Sequence, residues 1–315
     1  MLRKLICLIF ILSSCSCKVQ AQMNDTTYLA NQLPDYLLID EVLSLEDSLD
    51  IFFLIDSLLQ MDEVESISQL ALRIGYNSNV NSTGRTLGIS EFGLNAGVSY
   101  YHKTGLYLDV SGNWTTNFEP SYYLTTTSVG YMGIYKKWSY IAEYGRIIFT
   151  QPPDPNLSIV YKNNLGITNF IELKPVTFRL DYYLYFGDKV GHRIMPGISL
   201  NFEKKNWSKL QRVLFYPSVN VLFGSEEITS YHPYSNTYLG NAYRLRQGLP
   251  LYYTEENTSI GIMNYSFSLP LLVTIKRWGF SLGYTYNIPR LLPGEDFELS
   301  NNGFVSFSVS RFLNF

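Results

Sequence analysis

From Ser66 to Phe315 apolar and polar residues alternate, and most of the alternating runs reach 12 residues or more. Val176, Phe178, Leu180, Tyr182, Leu184 and Phe186 share one face of such a run. In another, Leu70, Leu72, Ile74 and Tyr76 lie opposite Ala71, Arg73, Gly75 and Asn77. A period of two marks a β-strand, because successive side chains leave opposite faces of the pleat. Length then decides the kind of strand. Strands of soluble domains average about 5–6 residues, whereas a tilted strand crossing a bilayer needs about 9–11. A secreted soluble sandwich would alternate as well, but with shorter apolar rows. After the first 21 residues, no apolar run approaches the roughly 20 residues of a membrane-crossing helix.

Twelve runs can be laid along the chain: 70–76, 92–100, 106–114, 121–135, 137–149, 157–172, 175–187, 190–203, 211–224, 258–274, 277–289 and 302–315. Pro196 interrupts one of them and loses a ladder hydrogen bond, which predicts a local irregularity. The connections fall into two alternating sets. One set (102–105, 135–138, 172–175, 203–211 and 274–277) is mostly short and carries Lys103, Lys136, Lys137, Lys174, Lys204, Lys205, Lys276 and Arg277. The other (79–90, 117–121, 150–157, 187–190, 224–258 and 289–302) holds the long members, with Pro152, Pro153, Pro155, Pro289 and Pro293 as breakers.

The last run ends on an aromatic residue. Val305, Phe307, Val309, Leu313 and Phe315 lie on one face, with Ser306, Ser308 and Ser310 on the other. At the opposite terminus Arg3 and Lys4 precede the apolar stretch 5–12, and a small-residue zone follows, the pattern of a secretory signal peptide. Val19-Gln20-Ala21 predicts cleavage after Ala21, giving a leader of 1–21. Leu12-Ser13-Ser14-Cys15 resembles a lipoprotein box, which would leave Cys15 lipidated; cleavage after Ala21 is favoured because a barrel needs no lipid anchor. Together, the strands, the turn parity and the terminal aromatic strand resemble bacterial outer-membrane β-barrels, with a likeness to Bacteroidota in the leader end and tyrosine-rich strands. The resemblance implies an antiparallel transmembrane barrel of about 12 strands over 66–315 in a Gram-negative outer membrane. It also implies short periplasmic turns, contact with outer-membrane lipids, and insertion by the barrel-assembly machinery through a C-terminal signal of Phe307, Phe312 and Phe315.

Composition and charge refine the layout. Charged residues make up 16% of the chain, against about 25% in average soluble domains, and mean hydropathy is −0.02, as expected where polar inward rows offset apolar outward ones. Residues 22–65 contain 11 acidic residues and no Lys or Arg, while the rest of the mature chain has 16 acids and 21 bases. Leu43, Leu45, Leu49, Phe52, Phe53, Ile55, Leu58 and Leu59 recur near helical spacing in this segment, and Ser44 with Asp47 forms a capping pattern. The spacing predicts an amphipathic helix over 44–64 in an acidic periplasmic arm. That helix either docks an envelope protein or the basic rim of short turns, or enters the barrel as a plug.

Candidate functional residues follow from the inward phase. Arg73, Asp109, Glu143, Arg179, Asp181 and Arg193 point inward, where they either line a water-filled pore and set its charge preference or pair with one another and block it. Arg146 and Arg311 fall on the outward face, where snorkelling near an interface avoids the roughly 2–4 kcal/mol cost of a cation at the midplane. The connection 225–257 gathers Tyr231, Tyr234, Tyr238, Tyr243, Arg244 and Arg246, side chains favoured at contact surfaces. It is expected to plug the lumen, or else to bind a ligand or partner. The three cysteines all lie in the leader, so no thiol chemistry is expected of the mature chain, and no motif for a metal, cofactor or nucleotide is present. His102, His192 and His232 are far apart in the layout, unlike the His-Ser pairs of outer-membrane hydrolases. The concentrated charge is acidic, which argues against nucleic acid. The expected role is a non-enzymatic small-solute channel. The alternative is a non-conducting component of an envelope complex that docks through the arm or the 225–257 loop.

Overall fold

A computed structural model of the protein describes residues 68–79, 93–115, 121–150, 161–234, 237–295 and 299–314. The leader, the acidic arm with its expected helix 44–64, and Phe315 lie outside the described residues. Eight strands come first: β1 (Gln69–Asn77), β2 (Gly93–Tyr101), β3 (Leu106–Thr115), β4 (Tyr122–Tyr135), β5 (Trp138–Phe149), β6 (Tyr161–Leu173), β7 (Val176–Gly187) and β8 (Val190–Leu200). They are followed by β9 (Phe202–Trp207), β10 (Leu210–Phe215), β11 (Ser218–Pro233), helix α1 (Tyr238–Arg246), β12 (Tyr252–Ser268), β13 (Leu271–Ile275), β14 (Trp278–Pro289) and β15 (Asn302–Asn314).

Every described pairing is antiparallel, and the sheet closes. β1 pairs with β2 on one side and with β15 on the other, from Gln69↔Asn314 to Asn77↔Ser306. The remaining gap is sealed by β12 against β14. Three transmembrane strands are each split in two: β8 from β9 at Asn201, β10 from β11 at Tyr216-Pro217, and β12 from β13 at Leu269-Pro270. Counting each as one gives a closed barrel of twelve strands. Closure pairs every one of the twelve strands on both sides, the condition for a sheet to cross hydrocarbon.

Burial runs inside out. The apolar rows face away from the barrel and are open: Leu72, Ile74, Leu106, Leu108, Val110, Leu165, Leu180 and Ile198 are 42–66% exposed. The alternate rows are polar and buried. Hydrocarbon is the solvent that makes this arrangement stable. Aromatic residues rim the outward face at both ends, with Tyr131, Tyr135, Trp138 and Trp278 at the short-turn end and Tyr76, Trp114, Tyr182 and Tyr286 at the other. The Arg311 guanidinium lies 5.1 Å from the Trp278 ring centroid, which places that outward cation in the aromatic rim.

The short connections are tight because the backbone reverses within about two residues. Lys136, Ser208 and Lys276 adopt left-handed φ values of 58°, 60° and 53°. Gly105, at φ 94°, passes so close to the Met132 carbonyl that an added Cβ would lie 2.4 Å from its oxygen. Two expected boundaries shift. The connection expected over 203–211 is only Ser208-Lys209, with β9 and β10 paired across it. Most of the expected 225–257 loop is strand: β11 and β12 continue their ladder to Pro233↔Tyr252, and α1 sits at the tip. The sequence signal failed there because 224–227 and 254–259 contain no apolar residue to continue the outward row. That row ends where the hairpin outruns its neighbours, since β14 stops opposite Asn264. At Pro196 the β8–β11 pairing skips from Asn220↔Gly197 to Phe223↔Ile194. The β11–β12 register shifts at the same level, between Leu222 and Phe223, so the irregularity expected of the proline is present.

Candidate lumenal site

The inward arginines of the wall are met by carboxylates. Arg73 Nη2 lies 3.3 Å from Asp109, which also accepts a hydrogen bond from the Ser99 hydroxyl. Arg179 donates through Nε to Asp181 Oδ1 at 2.9 Å and brings Nη2 within 2.6 Å of Oδ2; its other side lies over Phe170. Arg193 pairs with Glu226 and donates to the Ser225 carbonyl at 2.8 Å, while Tyr161 donates to Glu226 at 2.8 Å. Nearer the short turns, Arg212 donates to Glu203 at 2.7 Å. Arg73, Asp109, Arg179, Asp181, Arg193 and Glu226 are all buried. Charge-assisted geometry of this kind offsets the desolvation that buried ions suffer.

Glu143 is built differently. It accepts hydrogen bonds from the Tyr107 and Tyr183 hydroxyls, at 2.6 and 3.1 Å, and among the described residues it forms no ion pair. The register explains how two tyrosines reach one carboxylate. Tyr107, Gly130, Glu143, Gly166 and Tyr183 are consecutive cross-strand partners on β3 to β7. Both neighbours of Glu143 are therefore glycines, and each is covered by a ring. A Cβ at Gly130 would lie 2.5 Å from Tyr107 Cε1, and one at Gly166 would lie 2.3 Å from Tyr183 Cε1. The rings lie flat on the bare backbone and deliver their hydroxyls to Glu143 from both sides.

Two apolar groups bound this polar zone. Toward the short turns Ala71, Tyr101, Tyr107, Ile141, Phe170 and Phe312 form a buried belt, with Met132 packed against it. At the other end Leu292, from the β14–β15 connection, packs onto Met195, Leu222 and Met263. The segment is tied down by hydrogen bonds from Arg290 N to the Met263 carbonyl and from the Ser259 hydroxyl to the Pro293 carbonyl.

The wall opposite Glu143 is small and uncharged. β14 presents Gly279, Ser281, Gly283, Thr285 and Asn287 inward, and β15 presents Ser306, Ser308 and Ser310. Most inward glycines are occupied by a neighbour's side chain, but among the described residues a Cβ at Gly283 would meet only the Ser306 hydroxyl within 4 Å, at 2.6 Å. In the closed ring β14 is six strands from β5. Gly283 and Glu143 are each five residues in from the short-turn end of their strands.

The other sequence candidates are placed as follows. Phe307 faces outward and is exposed, whereas Phe312 turns inward into the apolar belt. Tyr231 lies within β11. Arg244 stacks 3.9 Å from the Tyr234 ring centroid and donates to the Pro250 carbonyl at 2.7 Å. Tyr238 and Tyr243 are exposed, and no residue of α1 is buried. Tyr234, Tyr238 and Tyr243 therefore do not fill the lumen as a plug: they are exposed, on a hairpin that continues past the last pairings with β8 and β14. His102 contacts Thr104, His192 contacts Tyr182 on the outward face, and His232 lies 3.4 Å from Glu255 on the hairpin.

Sequence reasoning missed Glu226, which it placed in a connection, and Glu203 and Arg212, which it placed at the ends of the runs 190–203 and 211–224 without pairing them. It also missed the tyrosine donors Tyr107, Tyr161 and Tyr183. Continuing the strand phase past Gly224 would have found Glu226; no signal within one strand could have paired Glu143 with two tyrosines.

No family model matches the chain, and no curated protein matches it. Among solved structures the chain is similar to the KdgM porin, with TM-score 0.42 and 9% identity over 77% of this chain and 98% of that one. It is also similar to the NanC porin, with TM-score 0.39 and 12% identity over 77% and 98%. LpxR from Salmonella typhimurium aligns with TM-score 0.38 and 10% identity over 78% and 100%. With TM-scores below 0.5, these similarities carry no inference about activity. The chain is an outer-membrane β-barrel protein: closed, even-stranded, apolar outside and polar within.

Proposed function

We propose that the protein is a narrow small-solute channel whose path runs off-centre, along the inward face of β14 and β15. The observation that carries this reading is the sector of small side chains around Gly283, where among the described residues only the Ser306 hydroxyl comes within 4 Å of an added Cβ, on a wall of glycine, serine and threonine facing Glu143. The paired arginines occupy the other sectors. Hydroxyls and amides on the open side offer water and small polar solutes hydrogen bonds without a fixed charge to trap them. The short-turn end is periplasmic and the β11–β12 hairpin extracellular, as in barrels of this type. Conductance of the refolded full-length protein in planar bilayers tests the reading, beside Gly283→Phe and a variant lacking 23–64. Steady current that Gly283→Phe abolishes supports it. Silence of both the full-length and the shortened protein refutes an open path.

A second reading, a non-conducting barrel in an envelope complex, is favoured by the apolar belt around Phe170 and Phe312. All six buried members of the belt are at most 8% exposed. An apolar constriction of this kind halts ions by dewetting. Current appearing only in Phe170→Ser would assign the belt as the closed gate of a channel. Current in neither protein would favour the scaffold.

A further inference from the structure

We infer that Glu143 makes the lumen selective for cations. The inference rests on the channel reading above and deepens it by naming the class of permeant solute. Four inward arginines (Arg73, Arg179, Arg193 and Arg212) each have a carboxylate of their own, Asp109, Asp181, Glu226 and Glu203. Each pair cancels locally, so its field dies off quickly across the lumen. Among the described residues Glu143 has only the neutral Tyr107 and Tyr183 hydroxyls as hydrogen-bonding partners. Hydroxyl donors orient a carboxylate and support its negative charge without cancelling it.

The site is constructed rather than incidental. Two glycines flank Glu143 in register, and the tyrosine rings seated on them fix the carboxylate from both sides. Glu143 is also more open than three of the paired acids: Asp109, Asp181 and Glu226 are buried, while Glu143 is half-buried. It projects from the strand opposite the Gly283 sector, so a solute passing along β14 and β15 meets one uncompensated negative charge. A fixed charge beside a narrow low-dielectric path concentrates counter-ions and excludes co-ions. The solute favoured is a small monovalent cation or a cationic organic molecule.

Reversal potentials under a KCl gradient test the inference in wild type, Glu143→Gln and Glu143→Lys, with heat-modifiable electrophoretic mobility confirming that each has folded. Wild type is expected to favour potassium over chloride. In Glu143→Gln the permeability ratio should fall about fivefold, the Boltzmann factor for roughly 1 kcal/mol between unit charges 4 Å apart in water. Glu143→Lys should reverse the preference, while Tyr107→Phe should keep its sign. Current with an unchanged ratio in Glu143→Gln, or an anion-selective wild type, overturns this inference and leaves the channel standing. Absence of current from wild type and from Phe170→Ser overturns both.

Discussion

Removing Arg179 while leaving Asp181 should be among the most damaging single changes in the barrel wall. Asp181 is 0% exposed and its carboxylate is held by the Arg179 fork at 2.6 and 2.9 Å. Breaking a buried pair from one side costs about 3–5 kcal/mol, because the surviving charge stays out of water. Arg179→Met also forfeits the cation–π contact with Phe170 at 5.6 Å, worth about 0.5–2 kcal/mol, although the methionine stem replaces part of the packing. The expected loss for Arg179→Met is therefore about 3–5 kcal/mol. In urea this lowers the unfolding midpoint by more than about 1 M for a slope near 3 kcal/mol/M. Asp181→Asn should cost less, since the long arginine can swing its head toward the nearby short-turn rim. The double variant Arg179→Met/Asp181→Asn should recover most of the loss, because a neutral pair has no stranded ion. Urea unfolding of all three in the same bilayer checks the series. A loss under about 1 kcal/mol in Arg179→Met, or a double variant as unstable as that single one, would refute the buried-pair account.

Gly166→Val should destabilise the barrel by about 1–3 kcal/mol, since its Cβ falls 2.3 Å from Tyr183 Cε1. Gly283→Val, whose Cβ meets among the described residues only the Ser306 hydroxyl, which can rotate away, should stay within about 0.5 kcal/mol of wild type; comparing the two urea midpoints checks the claim that one side of the lumen is filled by rings and the other lined by small side chains. Replacing α1 with a short Gly-Ser link between Thr237 and Gln247 should leave that midpoint unchanged, because no residue of the helix is buried. Leu292→Ser should loosen the β14–β15 connection from Met263 and Met195. A thiol reagent applied from the extracellular side should then modify a Ser266→Cys reporter faster than in the otherwise unaltered barrel, and an unchanged rate would show that this connection does not cover the mouth.

The barrel was legible in the sequence because membrane strands are long and their two faces meet opposite solvents. The row Val176, Phe178, Leu180 and Tyr182 can satisfy only a lipid-facing wall, and the short lysine-bearing turns fixed the strand parity. Positions within single strands were legible for the same reason: Arg73, Asp109 and Arg179 are inward by period alone. What one strand cannot show is its neighbours' register. The Tyr107-Gly130-Glu143-Gly166-Tyr183 row spans five strands and 76 residues of chain, and each member looks unremarkable in its own segment. The hairpin over 225–257 misled for a physical reason as well. Beyond the rim both faces of a strand meet water, so the apolar row stops while the ladder continues.

Pairing separates two jobs that a charged lumen would otherwise confuse. An arginine locked to its own carboxylate contributes rigidity, and its field falls off as that of a dipole. A carboxylate held only by hydroxyls keeps a monopole field that a solute feels across the lumen. Stability and selectivity should therefore fail at different residues. The Arg73–Asp109, Arg179–Asp181 and Arg193–Glu226 pairs are deeply buried, so cutting one side strands an ion and weakens the wall. Glu143 is half-buried and strands nothing when it becomes glutamine, since the amide oxygen can accept from one tyrosine while its NH2 donates to the hydroxyl oxygen of the other. The two effects share one ladder of strands, with the glycines beside Glu143 making the exception possible. They let neutral tyrosine rings stand where an arginine would otherwise be needed.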